Sequence, residues 1–269
     1  MLIDSHTHLD YADVDPATLV DAAWQARVGL IIQSGTDLDR SRHSVRLAER
    51  FPEVFATVGF HPQEAGLLTD EGMAGIEELA ASPRVAAIGE TGFDFYHDNW
   101  PHELQQEVFV RHIDLARRLG LPVVVHTRDA ADVTLSVLAD HADGLTVILH
   151  CFSLPDRLDD IIERGYYVSF AGNVTYKNRR DLQTAAPLVP DHLLMLETDA
   201  PWMTPVPLRG RPNQPALVGH TYAFVAELRQ TTVELLEAQV ELNVRRAFPR
   251  SAGRLEASGK GPSGGGGLQ

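Results

Sequence analysis

Eight short runs of apolar and β-branched residues recur along the chain, each followed by a stretch with helical periodicity. This alternation restricts the fold more than any other feature, because strand–helix repetition forces parallel strands with helices packed outside them. The runs are Leu2–His8, Gly29–Ser34, Val54–Phe60, Val85–Glu90, Pro122–His126, Leu145–His150, Tyr166–Phe170 and Leu193–Glu197. Helical patterns between them open at Asp15-Pro16 and Asp37, then span Thr69–Ala81, Glu103–Leu119, Ala130–His141, Pro155–Arg164 and Asn178–Ala186. Gly120, Gly144 and Gly165 stand where helix C-termini are expected. A proline-rich loop from Pro201 to Pro215 leads to two last helices, Gly219–Arg229 and Val233–Phe248.

Two α/β architectures use such a repeat. A doubly wound sheet calls for a glycine-rich phosphate turn after its first strand, and none is present here. A (β/α)8 TIM barrel needs roughly 250 residues and eight repeats, which matches one domain over residues 1–250 of the 269. From Ser251 to Gln269 the chain is rich in glycine and serine and poor in apolar residues, so a disordered tail is expected.

Barrel active sites are built at the C-terminal ends of the strands. Those ends carry His6 and His8, then His61, Glu90, His126 and His150, and finally Glu197 and Asp199. His6 and His8 lie two apart in a strand, so they project to the same face about 7 Å apart along the backbone. Imidazoles and carboxylates packed together without a cation would leave buried polar atoms unmet and would repel on protonation. A metal centre is therefore expected from His6, His8, Glu90, His126, His150 and Asp199. Six ligands exceed what one catalytic ion uses, so two divalent ions are expected, with Glu90 spanning both. The other seven histidines (His43, His97, His102, His112, His141, His192 and His220) fall on helices or loops, and nearly all of them are expected to be solvated.

The single cysteine, Cys151, excludes an intramolecular disulfide, and nothing points to an oxidising compartment. No apolar run nears the roughly 20 residues of a membrane span, and Asp4, His6 and His8 interrupt any signal-peptide stretch. A cytoplasmic protein is expected, with no membrane attachment and no obligate protein partner. Net charge is −14, which argues against broad adhesion to nucleic acid.

Six ordered motifs resemble those of the TatD family of metal-dependent deoxyribonucleases, whose barrel is of the amidohydrolase type. They are Ile3 to Asp10, Val58 to Pro62, Ile88 to Asp94, His126-Thr127-Arg128, His150-Cys151-Phe152 and Leu196 to Pro201. Asn243 to Phe248 resembles the family's closing helix. The resemblance implies one ion held by His6, His8, Glu90 and Asp199 and another by Glu90, His126 and His150. The stretch Arg209-Gly210-Arg211-Pro212-Asn213-Gln214 resembles the family's substrate loop, except that Gln214 replaces an acidic residue. Mg²⁺ is the ion associated with the family's nuclease activity, whereas four imidazoles favour Zn²⁺ or Mn²⁺ on ligand softness.

On that reading the catalytic residues are Asp199, as the base that moves a proton from the attacking water, and His61, which contacts phosphate or donates a proton. Glu197 orients a ligand, and Cys151 is a small apolar filler. Arg128 either binds phosphate or pairs with Glu197 or Asp94. Aromatics after the strand ends, including Tyr96, Trp100, Tyr176 and Trp202, either stack on bases or pack loops. A strongly acidic chain must hold DNA locally, by Arg128, Arg209 and Arg211 with Arg157, Arg179 and Arg180 nearby. So small a cluster suits a single-stranded end and exonucleolytic release of nucleotides. An ester or amide hydrolase, such as an aminoacyl-tRNA deacylase or a lactonase-like enzyme, uses the same site. A non-catalytic metal-binding partner protein would need no base at Asp199.

Overall fold

The computed structural model describes residues 1–97 and 99–254. Eight parallel strands follow one another round a nearly closed barrel in sequence order. They are β1 (Leu2–Thr7), β2 (Val28–Ser34), β3 (Val54–Val58), β4 (Val85–Asp94), β5 (Val123–Arg128), β6 (Val147–Leu149), β7 (Tyr167–Phe170) and β8 (Leu194–Leu196). Helices α1 (Pro16–Gln25), α2 (Leu38–Arg50), α3 (Asp70–Ala80), α4 (His102–Leu119), α5 (Ala131–His141), α6 (Leu158–Glu163) and α7 (Arg180–Ala185) connect them. Two more, α8 (Val218–Leu228) and α9 (Val233–Ala247), follow the last strand.

The strands are buried on both faces, so their sequences run apolar without alternation; Leu30, Ile31 and Ile32 are all fully buried. Side chains start several of the helices. The Asp37 carboxylate accepts from the Arg40 amide ahead of α2, and Thr69 and Thr232 do the same for α3 and α9. Gly120 ends α4 in the left-handed conformation.

The ring closes at its C-terminal mouth rather than along the full strands. Asp199 N–H donates to His6 O at 3.0 Å and His8 N–H donates to Ala200 O at 2.8 Å. Below them the buried Asp4 carboxylate accepts from the amide and the hydroxyl of Thr198, at 2.8 and 2.6 Å.

Three departures from the expected elements bear on function. First, β4 does not stop at Glu90 but continues to Asp94. Gly92, at φ 138°, makes this possible: a Cβ there would sit 2.1 Å from the His126 carbonyl oxygen of β5. Second, the expected helix Pro155–Arg164 begins as a 3-10 turn, Pro155–Arg157. Third, the packed body runs past the boundary expected at residue 250. Ser251 is buried with its hydroxyl on Phe248 O, and Arg254 pairs with Glu53 at 2.8 Å. The rest of the expected tail, from residue 255, lies outside the described residues. No helix among the described residues is long and apolar enough to cross a membrane.

Candidate metal centre

Two β-bulges aim the innermost side chains. In β1, three steps from Asp4 to Thr7 face two steps of β2, from Ile31 to Gln33. In β4, three steps from Ile88 to Thr91 face two of β5, from Val123 to Val125. The extra residue in each case lies beside His6 or Glu90, and a bulge re-aims the side chains at its position. Both residues end up in the barrel mouth, His6 fully buried and Glu90 2% exposed.

Glu90 is the hub. Its Oε2 faces His6 Nε2 at 3.2 Å and His8 Nε2 at 3.4 Å. Its Oε1 faces His126 Nδ1 and His150 Nε2, both at 2.8 Å, and His61 Nε2 at 3.4 Å. Asp199 Oδ1 stands 3.7 Å from His8 Nε2. Oε2 thus serves one pair of imidazoles, and Oε1 serves a second pair together with His61. All six expected ligands meet in one cluster, as does His61.

Electrostatics follow from burial and from this hub. Burial would raise the Glu90 carboxyl, but His150, His6 and His61 outweigh it and hold it well below the usual range. Burial keeps His6 and His8 neutral by lowering them. His150 is pushed well up: burial opposes its charge, yet Glu90 and Glu197 overcome that. Burial, with Glu197 and Glu90 adding to it and His150 opposing, lifts Asp199 to about 7.

The donor set fits divalent cations. The forward nitrogens converge in two pairs, His6 Nε2 and His8 Nε2 at 3.1 Å and His126 Nδ1 and His150 Nε2 at 3.2 Å, with Glu90 between the pairs. Neutral imidazole nitrogens that face one another this closely need a proton or a cation between them, and the buried carboxylate beside each pair favours the cation. Imidazole nitrogens and carboxylate oxygens are the ligands that Zn²⁺ and Mn²⁺ accept.

His61 differs from the other imidazoles. The backbone amide of Gln63 donates to its Nδ1 at 3.1 Å, so in the neutral ring the proton sits on Nε2. That nitrogen points at Glu90 as a donor and has no lone pair for an ion. Burial lowers His61 to about 4, so the ring is neutral.

Carboxylates behind the cluster set two of the rings. Glu197 Oε1 lies 3.4 Å from His150 Nδ1 and accepts the Cys151 amide at 2.7 Å. Asp94 Oδ2 lies 3.6 Å from His126 Nε2 and also accepts from Gln63 Nε2 at 2.9 Å. A carboxylate behind a histidine fixes which nitrogen faces forward. Asp94 was expected only as an acid that Arg128 could pair with; its position after a glycine in the extended β4 was the available signal.

An open cavity of about 1420 Å³ lies over the cluster. Arg128 and Arg209 line it, each with its guanidinium over a ring: Arg128 lies 3.8 Å from the centroid of Tyr96, and Arg209 lies 4.1 Å from that of Tyr176. Neither Glu197 nor Asp94 pairs with Arg128. Arg157 and Arg179 also line the cavity but are engaged by Asp132 and Asp181. Arg211 is exposed and outside the lining; its backbone, not its side chain, ties the loop through Leu208 O and Thr204 Oγ1. Cys151 lines the cavity and takes a contact from Asn173 Nδ2 at 3.8 Å. Of the aromatics, Phe93 and Phe152 are core, and Trp100 packs on Gly66. Tyr176 and Trp202 reach the cavity.

Residues 3–249 match the family model described as TatD related DNase. The chain belongs to the TatD family. A Mycobacterium tuberculosis relative named uncharacterized metal-dependent hydrolase TatD is 39% identical over 260 residues, covering 92% of this chain and 97% of that one. An Enterobacter lignolyticus relative named 3'-5' ssDNA/RNA exonuclease TatD is 33% identical over 241 residues, covering 87% and 93%. The crystal structure of YJJV, a TatD homolog from Escherichia coli K12, superposes with a TM-score of 0.88 at 28% identity, covering 92% and 98%. Within this TatD protein the histidine and carboxylate cluster sits in the ordered motifs expected from the sequence.

Proposed function

We propose that this TatD protein is a two-ion hydrolase that removes nucleotides from the ends of single-stranded DNA. The observation that carries the reading is the division of Glu90, with one oxygen toward His6 and His8 and the other toward His126 and His150. One ion would be held by His6, His8, Glu90 and Asp199, the other by Glu90, His126 and His150. Bound there, divalent ions supply Lewis acidity to the phosphate and lower the pKa of water.

The chain's own residues do the rest. Asp199, 3.7 Å from His8, takes the proton of the attacking water and passes it toward the leaving oxygen. His61 presents Nε2–H to a non-bridging phosphate oxygen, a neutral donor held in place by the Gln63 amide. Arg128 and Arg209, with no acidic partner among the described residues, hold phosphates of the entering strand. The cavity exceeds the roughly 300–1,000 Å³ usual for small-molecule sites, which supports a polymer end as substrate. Relatives named 3'-5' ssDNA/RNA exonucleases support the direction.

The test is a set of linear single strands, duplexes and covalently closed circles, incubated with purified protein and Mg²⁺, Mn²⁺ or Zn²⁺ in turn. Stepwise mononucleotide release from single-stranded 3' ends is expected. Efficient nicking of closed circles would defeat the end-binding reading. Turnover of an aminoacyl-tRNA ester, without cleavage of any nucleic acid, would move the assignment to ester hydrolysis.

A further inference from the structure

Beside the candidate ion ligands the cavity carries a feature that the hydrolytic chemistry does not use. Tyr11, Trp202 and His8 pack as three mutually tilted rings. Centroids are 5.3 Å apart for Tyr11–Trp202, 5.5 Å for His8–Tyr11 and 5.3 Å for His8–Trp202. Tyr11 and Trp202 both line the cavity, and Trp202 is 47% exposed within it.

An exposed aromatic is ordinary in itself; the support built around this one is not. The Tyr11 hydroxyl is fixed on Thr36 Oγ1 at 2.9 Å. The Arg40 guanidinium covers the Tyr11 ring, 3.7 Å from its centroid, and does not line the cavity. Arg40 is itself held by Asp10 at 3.0 Å, and Asp10 by Gln33 Nε2 at 2.8 Å. On the other side, buried Asn213 donates through Nδ2 to both the Thr198 and the Trp202 carbonyls. The Trp202 amide donates to Asp199 O at 3.0 Å. One short turn therefore carries the Asp199 carboxylate and the Trp202 ring together. Trp100 behaves differently: its indole N–H is spent on Gln63 O, and its ring covers Gly66.

We propose that Tyr11 and Trp202 form a nucleobase-stacking platform for the terminal nucleotide, next to the candidate ion ligand His8. The inference rests on the hydrolytic reading above and deepens it by naming what is recognised beyond the phosphate. The open face of the Trp202 ring, braced by the tilted Tyr11 ring and one ring away from a candidate ligand, suits a planar heterocycle one sugar away from a reacting phosphate. Stacking is tolerant of sequence because every base has a π-face. The platform therefore selects for an unpaired base rather than for a particular one. A paired terminus must unstack to reach it, which accounts for single-strand preference without any positively charged groove.

Two measurements on the full-length protein separate this inference from the hydrolytic reading. The first needs no turnover: tryptophan fluorescence is followed on adding adenosine 5'-monophosphate or ribose 5-phosphate. Saturable quenching by the nucleotide only, absent in Trp202→Phe, is expected. Equal quenching by both, or quenching that persists in Trp202→Phe, overturns the platform. The second compares single strands whose 3'-terminal nucleotide carries a base or is abasic. Wild type should favour the base-bearing end about tenfold in kcat/KM. Trp202→Ala should lose that preference and Trp202→Phe should keep most of it. A preference that survives in folded, metal-replete Trp202→Ala overturns the platform even though DNA is cleaved. If wild type cleaves no DNA but shows the nucleotide-specific quench, the platform stands and the phosphodiesterase reading falls.

Discussion

Two buried histidine environments in this protein obey opposite rules. His112 on α4 is fully buried, and both its nitrogens are bonded to backbone: Nδ1–H donates to Val108 O at 2.8 Å and Nε2 accepts the Phe60 amide at 3.0 Å. At the barrel mouth, His6, His8 and His150 are nearly as enclosed and His126 partly so, yet their forward nitrogens meet only one another and Glu90. A folded chain satisfies its buried polar groups wherever geometry allows. Imidazoles that converge instead on one another and on one carboxylate form a donor set able to hold a cation. His112 is an exception to the expected solvation of the helix and loop histidines: it anchors the backbone that leads into His61.

The comparison breaks outright if the mouth binds no ion. Adding Zn²⁺ or Mn²⁺ at about 100 times its dissociation constant should stabilise the chain by about 2.7 kcal/mol. For a domain of this size that raises Tm by roughly 5–10 °C. Glu90→Ala should lose the shift, the bound metal by elemental analysis, and turnover to background. A full metal complement in that variant would remove Glu90 from the ligand set. His112→Gln should retain metal, since nothing at that site offers a free nitrogen.

After the loss of turnover, the next effect is on stability alone. Burial lowers His112 to about 4, against about 6.5 in the unfolded chain. Above pH 6.5 both states are neutral and nothing is lost. As pH falls from 6.5 to 4, the unfolded state takes up a proton that the folded state refuses, so stability drops. The penalty is complete below pH 4, at about 3 kcal/mol. Urea midpoints of metal-free wild type and His112→Gln at pH 7 and pH 4.5 should show the variant losing less. Parallel losses would mean that His112 titrates normally.

The carboxylates behind the mouth sharpen the comparison, since they do for two ligand rings what backbone does for His112. Glu197→Gln and Asp94→Asn keep the shape but weaken the hold on His150 and His126. Each should cost about 10–100-fold in metal affinity or kcat. Loss of neither, measured by metal titration and single-turnover rate, would reduce both to structural residues.

Much of the mouth was legible because metal ligands are few in kind and barrel strand ends are easy to locate. His6, His8, Glu90, His126, His150 and Asp199 needed only the eightfold repeat to be placed together. What sequence could not show was aim. The bulges at His6 and Glu90 arise from pairing with β2 and β5, a relation between distant segments. The His61 tautomer depends on one backbone amide, and the freedom of Arg128 and Arg209 depends on which acids already hold Arg157 and Arg179. Spacing on the chain carries none of these. The end of the packed body was misplaced for the same reason, because Glu53 lies some two hundred residues before its partner Arg254.

The smallest expected effects lie at the arginines, and they turn on which cations are already neutralised. Arg157 and Arg179 have carboxylate partners, while Arg128 and Arg209 lie over tyrosine rings that leave their N–H edges available. A guanidinium stacked on a ring is oriented but not discharged, so it still attracts phosphate. Arg128→Ala and Arg209→Ala should each raise KM for a single strand a few-fold and leave kcat nearly unchanged. Each should also reduce the salt dependence of binding, by roughly 0.7 in log–log slope for one phosphate lost from a single strand. Arg211→Ala, whose side chain is exposed and outside the cavity, should do neither. If Arg211→Ala changes the slope while Arg128→Ala does not, the strand enters along the loop after β8 instead of across the mouth between Tyr96 and Tyr176.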